Sequence, residues 1–271
     1  MSSEFERATA VRRRDDGAYD AAIDIGWDIG GNANGGYLIA VGARAMADAV
    51  GRPPLSITAH YLAPGQPGPC VVEVHVLRSG RRTATASARL RAGGSDVVAL
   101  LGTFGAQTPG DPVVVDGEPP VLPPYAEAAS ARPPVPDSGF GDRLAVRVRP
   151  ADLGFAVGAP SGRAEIAGWF RFADADPDDV PIDVYGLLLA TDAFAPVCLN
   201  VGEFAVAWAP TLELTVHIRG VPAPGLLRCR FSSRFLTDGM FEEDGEVWDS
   251  AGRLVAQSRQ LALIPRPSPS G

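Results

Sequence analysis

From Gly35 to Val50 the chain reads GGYLIAVGARAMADAV. Tyr37, Leu38, Ile39, Ala40, Val41, Ala43, Ala45 and Met46 leave only Arg44 and Asp48 charged, which predicts a helix apolar nearly all round and buried on most sides. Downstream the period changes. CVVEVHVLRS, RTATASARLRA and DVVALLGTFG alternate and carry β-branched residues, with Gly pairs between them, so they predict strands joined by turns. The same pattern returns as LLRCRFSSRFLT, MFEEDGEVWDS and RLVAQSRQLALI. Each set is preceded by a similar strand, Ile57-Thr58-Ala59-His60-Tyr61 in one half and Leu214-Thr215-Val216-His217-Ile218 in the other, each followed by a Pro/Gly break. A second helix is expected over Asp178–Phe194, opened by Asp176-Pro177-Asp178-Asp179 with a cap, an early proline and acidic residues against the dipole.

Each half is therefore strand, helix, then four strands. No βαβα alternation is present, which argues against a dinucleotide-type parallel sheet and for an α+β arrangement, one antiparallel sheet wrapped on one long helix, twice. Nine prolines fall between Gln107 and Ser138 and exclude a long helix or central strand there. The expected organisation is an N-terminal unit over 1–106, an extended Pro-rich linker over 107–138, a C-terminal unit over 139–265 and a disordered tail over 266–271.

Composition narrows the function classes. The 271 residues carry a net charge of −8, which argues against a nucleic-acid surface. Three scattered cysteines, Cys70, Cys198 and Cys229, make neither a disulfide framework nor a metal site. No apolar run approaches the ~18 residues of a membrane span, and the charged N-terminus lacks a signal core, so a cytoplasmic protein is expected. There is no G-x-S-x-G elbow, no P-loop, and no strand-turn-helix setting for the glycines of GGNANGG.

The glycines opening the first helix have two readings. Gly35 and Gly36 pack tightly on a neighbouring strand, or they let an anion or oxyanion approach the free N–H groups of the helix start. Asp192 sits in LLLATDAFA, where an unpaired carboxylate is costly to bury, and it reads either as a general base or as a solvent-facing helix end. Gln260 shares a strand face with Leu254, Ala256, Ser258 and Ala262, and its amide there needs a partner. Thr211 opens a strand whose apolar face is Leu212, Leu214, Val216 and Ile218, which puts its hydroxyl on the polar side.

The ordered set of Gly-Gly before a buried helix, a strand ending LAPG, LRSGRRTATASARL, LLLATDAF, APTLELTVHIRG and DSAGRLVAQSRQLAL resembles the double hotdog acyl-CoA thioesterases of the thioesterase II (TesB-like) group. The resemblance implies two tandem hotdog folds packed as an intramolecular pseudo-dimer. It implies an acyl-CoA substrate hydrolysed without metal or cofactor, by a water that Asp192, Thr211 and Gln260 hold against the thioester. The oxyanion is then expected at the start of the first helix, near Gly35, Gly36 and Tyr37. The family's histidine early in the strand ending in LAPG corresponds to Thr58, with His60 two residues on. His60 and His217 occupy equivalent positions in the repeat and read as architectural or subunit-contact residues. Gly80-Arg81-Arg82 is a turn or a contact for CoA phosphates. The rival readings are an acyl-CoA or acyl-carrier binding module without turnover, and an enoyl-CoA hydratase relative, which would use a histidine that neither helix contains. Sheet edges leave room for further dimerisation.

Overall fold

The computed structural model describes residues 3–107, 114–132, 139–174, 182–202 and 209–264. The first half contains β1 (Tyr19–Ile23), α1 (Gly35–Val50), β2 (Pro54–Tyr61), β3 (Gly68–Ser79), β4 (Thr83–Ala92) and β5 (Ser95–Gly105). The second contains β6 (Glu165–Phe170), α2 (Val184–Ala190), β7 (Thr211–Ile218), β8 (Leu227–Ser232), β9 (Met240–Trp248) and β10 (Leu254–Leu263). The strand order is β1-β3-β4-β5-β2 in one half and β7-β10-β9-β8-β6 in the other, so the second half repeats the first in reverse across the sheet. Short strands extend both edges. These are the two helix-and-sheet units that the repeat predicts and the two tandem hotdog folds that the resemblance implies.

The halves join through β2 and β7, which pair antiparallel with Thr58 opposite Thr215, their hydroxyl oxygens 2.9 Å apart. His60 lies opposite Glu213, and Ser56 opposite His217. These positions correspond in the repeat, so a local two-fold passes between the threonines. Both histidines are exposed on the outer face of the sheet.

α1 forms over the predicted span. The Asn34 side chain accepts the Tyr37 N–H at its start, and Gly51 closes it in the left-handed conformation with φ 68°. Its residues from Gly36 to Ala47 are buried except Arg44, whose guanidinium lies 4.1 Å from the Tyr185 ring centroid and pairs with Asp183 at 3.2 Å. The concave face of the sheet covers α1, which packs on α2.

α2 is shorter than the expected 178–194. It starts after Asp183, whose side chain accepts the Gly186 N–H, and ends at Ala190. Asp192 is therefore in the turn after the helix and not on it. The proposed opening at Asp176–Asp179 lies outside the described residues, as do parts of the linker and the tail. The described linker is tied to the second half. Trp169 donates to the Pro123 carbonyl, Arg147 donates to those of Tyr125 and Ala126, and the strand Ala129–Ser130 pairs with Arg147–Val148. Among the described residues no helix is long and apolar enough to cross a membrane.

Candidate active site

The start of α1 meets the turn after α2. Asp192 Oδ2 accepts from the Gly36 N–H at 2.9 Å and from Asn34 Nδ2 at 2.9 Å, and Gly35 N–H adds to the set. Asn34 ties the two segments once more, donating to the Asp192 carbonyl at 2.7 Å, while its Oδ1 accepts from Tyr37 N–H of its own helix at 2.9 Å. Burial raises the Asp192 pKa from 3.8 to about 6, against the pull of the hydrogen bonds from Gly36, Gly35 and Asn34, which favour the charged form. The glycines permit this approach. A Cβ on Gly36 would stand 2.8 Å from the Leu188 carbonyl and 3.0 Å from Asp192 Cβ; on Gly35 it would stand 2.6 Å from Tyr61 Oη and 2.9 Å from Asp192 Oδ2.

Two expectations need correction here. The anion at the helix tip is the protein's own carboxylate, so the N–H groups of Gly36 and Tyr37 are already engaged and are not open to a substrate oxyanion. Gly36 packs on the neighbouring helix α2 rather than on a strand. Tyr37 also points away from the site. It is buried in the core, where its hydroxyl donates to main-chain carbonyls and its ring stacks on Trp27.

Thr211 is placed by a bulge. β7 pairs with β10 as Thr211 opposite Ala262, then Glu213 opposite Leu261, so Leu212 is an extra residue. Simple alternation would turn Thr211 outward with Glu213 and Thr215; the bulge turns it inward. Its hydroxyl donates to Gln260 Oε1 at 3.0 Å. The hydroxyl is therefore on the cavity side, not the polar outer side. Gln260 is buried as expected, and its amide partner is Glu243 on β9. Gln260 Nε2 donates to Glu243 Oε1 at 2.8 Å, and Val197 N–H donates to Oε2 at 2.9 Å. Burial pushes the Glu243 pKa from 4.5 up to about 8, with the charge of Asp192 also raising it and the two donors opposing. Asn34, Glu243 and Tyr61 are site residues that the sequence reading passed over.

Asp192, Thr211 and Gln260 line one cavity of about 560 Å³ at the seam of the two halves, together with Asn34, Gly35 and Tyr61. Its remaining wall is largely apolar, including Ile29, Leu38, Leu62, Phe155, Phe194 and Phe241. His60, His75 and His217 are exposed and none lines it. Arg81 and Arg82 are at the opposite end of the sheet, where the Arg52 guanidinium caps the Gly80 and Arg81 carbonyls.

The two-fold relation allows a direct comparison with the matching place in the first half. There the strand register puts Pro54 where Thr211 stands, Gly102 where Gln260 stands and Ala86 where Glu243 stands. The polar set is thus present once among the described residues.

Residues 23–105 match the family model of the acyl-CoA thioesterase N-terminal domain, and residues 119–264 match that of the C-terminal domain. An uncharacterised protein of Mycobacterium tuberculosis is 31% identical over 297 aligned positions, covering 98% of this chain and 99% of that one. Among solved structures, a thioesterase II candidate from Thermobifida fusca superimposes with a TM-score of 0.87 at 31% identity, covering 97% of this chain and 98% of that one. An acyl-CoA thioesterase II from Mycobacterium marinum superimposes with a TM-score of 0.73 at 19% identity, covering 97% and 99%, and shares the fold. With both domain models matched in order over two hotdog units, the chain belongs to the TesB-like acyl-CoA thioesterase family.

Proposed function

We propose that this protein hydrolyses acyl-CoA thioesters at the seam cavity, with Asp192 as general base and Thr211 and Gln260 positioning the water. The observation that carries this reading is the convergence of those three groups, far apart in sequence, on one largely apolar cavity. Ionised Asp192 takes a proton from the water as its oxygen attacks the thioester carbonyl carbon. The tetrahedral intermediate collapses with cleavage of the C–S bond, and the leaving thiolate receives the proton from Asp192. The products are the free acid and CoA thiol. A thioester is already an activated acyl group, so no covalent enzyme intermediate is required. A positioned base of this kind contributes roughly 10²–10⁴-fold.

Thiol release from a panel of acyl-CoAs tests the proposal. Turnover is expected, with kcat rising through a pH midpoint of about 6, because Asp192 must be ionised to act and is protonated below that value. Tight binding of acyl-CoAs with no thiol released would instead mark a binding module. A hydratase reading has no support in the cavity wall, which holds no histidine among the described residues.

Glu243→Gln tests how Gln260 is oriented. Above about pH 8, where Glu243 is ionised, its carboxylate presents two acceptors to two N–H donors, whereas the new amide offers one acceptor and one donor. Gln260 can satisfy it only by turning its own amide round, which moves its oxygen away from Thr211. Stability is expected to hold within about 1 kcal/mol, while kcat falls roughly ten- to a hundredfold from misplacement of the water. Equilibrium urea unfolding beside steady-state kinetics checks both halves of that expectation.

A further inference from the structure

Hydrolysis of a thioester needs a donor for the oxygen that becomes negative, and the helix tip does not supply one. The N–H groups of Gly35 and Gly36 are directed at the Asp192 carboxylate, and those of Tyr37 and Leu38 are engaged by Asn34 Oδ1 and the Asn34 carbonyl. Both hydrogens of Asn34 Nδ2 are directed at Asp192. Thr211 donates to Gln260, and Gln260 donates to Glu243.

One cavity-lining group stands apart. The Tyr61 hydroxyl oxygen is buried and has no hydrogen-bond partner among the described residues. A buried hydroxyl without a partner is uncommon in folded proteins, and in a ligand cavity its natural partner is an acceptor on the ligand. Its place fits that role. Tyr61 Oη lies 2.6 Å, and Asp192 Oδ2 2.9 Å, from the point a Gly35 Cβ would fill, so base and hydroxyl converge above the same glycine. Tyr61 ends β2 in the first half, whereas Asp192 and Thr211 come from the second. The donor would thus approach the carbonyl from the other half of the pseudo-dimer.

Resting on the reading of this cavity as a thioester-hydrolysing site, we propose that Tyr61 is a further catalytic residue whose hydroxyl donates a hydrogen bond to the thioester carbonyl oxygen and holds it as the oxyanion forms. As the water oxygen bonds to the carbonyl carbon, the π pair moves onto that oxygen, and Asp192 receives the proton of the water. Tyr61 keeps its own proton throughout. Burial, and then the negative charges of Asp192 and Glu213, hold the phenol pKa well above its ordinary value, so it remains a donor.

Tyr61→Phe retains the ring and removes only the oxygen. In single-turnover thiol release with an acyl-CoA that the wild type hydrolyses, the rate is expected to fall about 10²–10³-fold. KM should stay within a few-fold, the pH midpoint should not move, and the melting temperature should hold or rise because an unpaired buried hydroxyl is gone. A variant as fast as wild type overturns the assignment while leaving the hydrolase reading intact. A loss that is recovered at higher pH, with a displaced midpoint, also overturns it, since the hydroxyl would then be acting on Asp192. A wild-type chain that releases no thiol from any acyl-CoA overturns the hydrolase reading and this assignment together.

Discussion

Asp192→Asn is expected to lower kcat by roughly 10²–10⁴-fold while leaving acyl-CoA affinity within a few-fold. The substituted amide is of nearly the same size, and its oxygen can accept from Gly36 N–H and Asn34 Nδ2 as the carboxylate does. What it lacks is the capacity to take a proton from water. Stability should not suffer at neutral pH. The folded-state pKa of Asp192 is raised from 3.8 to about 6, so the native state holds this proton more tightly than the unfolded chain does. The stability attached to that proton is fully present below pH 3.8 and is lost as pH climbs through about 6. Removing the ionisable group removes that loss, and the melting temperature of the variant at pH 7 should equal or exceed that of wild type. Thiol release, calorimetric binding of a non-hydrolysable thioether analogue and thermal unfolding give the three readouts. A variant with undiminished turnover would remove Asp192 from the chemistry.

Gly36→Ala is expected to cost about 1–3 kcal/mol of stability and at least a tenfold fall in kcat. The added methyl would meet the Leu188 carbonyl at 2.8 Å and Leu189 Cα at 3.0 Å. These are backbone atoms of α2, which cannot rotate aside as a side-chain tip can, so relief requires the two helices to separate. Asp192 rides on the turn immediately after α2, and separation lengthens its hydrogen bond to Gly36 N–H. Alanine is the better helix former by up to about 1 kcal/mol, which offsets only part of the clash. Denaturant unfolding and kinetics on the same preparation decide it. If the substitution were silent in both, the close approach of α1 and α2 at this point would not matter to the site.

Much of the site was legible along the chain, for reasons that differ from residue to residue. The span of α1 could be read because its run from Gly35 to Val50 opens on two glycines and is apolar nearly all round, with only Arg44 and Asp48 charged. Gln260 could be assigned to the inner face because β10 alternates cleanly through it. Glu243 carried a comparable signal, since it shares a strand face with Phe241, Gly245 and Val247, and a carboxylate among such residues asks for a partner. Thr211 was misdirected, because alternation assumes a regular strand and the bulge at Leu212 reverses the facing of the residue before it. The role of the helix start was also misdirected. An electropositive tip is visible in the pattern of residues, but whether a ligand or a side chain from the turn after another helix occupies it depends on a contact spanning more than 150 positions.

Periodicity, breaks and the internal repeat sufficed to establish two helix-and-sheet units, their order and the inward face of each long strand, because these follow from local spacing. The resemblance placed the proposed water-holding set, Asp192, Thr211 and Gln260, entirely in the second half. The resemblance had already drawn Gly35 and Gly36 of the first half towards the site; folding alone added Asn34 and Tyr61 and turned the Gly36 N–H onto Asp192. Those contacts arise where β2 runs out beside the start of β7 and α1 crosses the end of α2, and relative placement across a seam leaves no periodic trace in a chain.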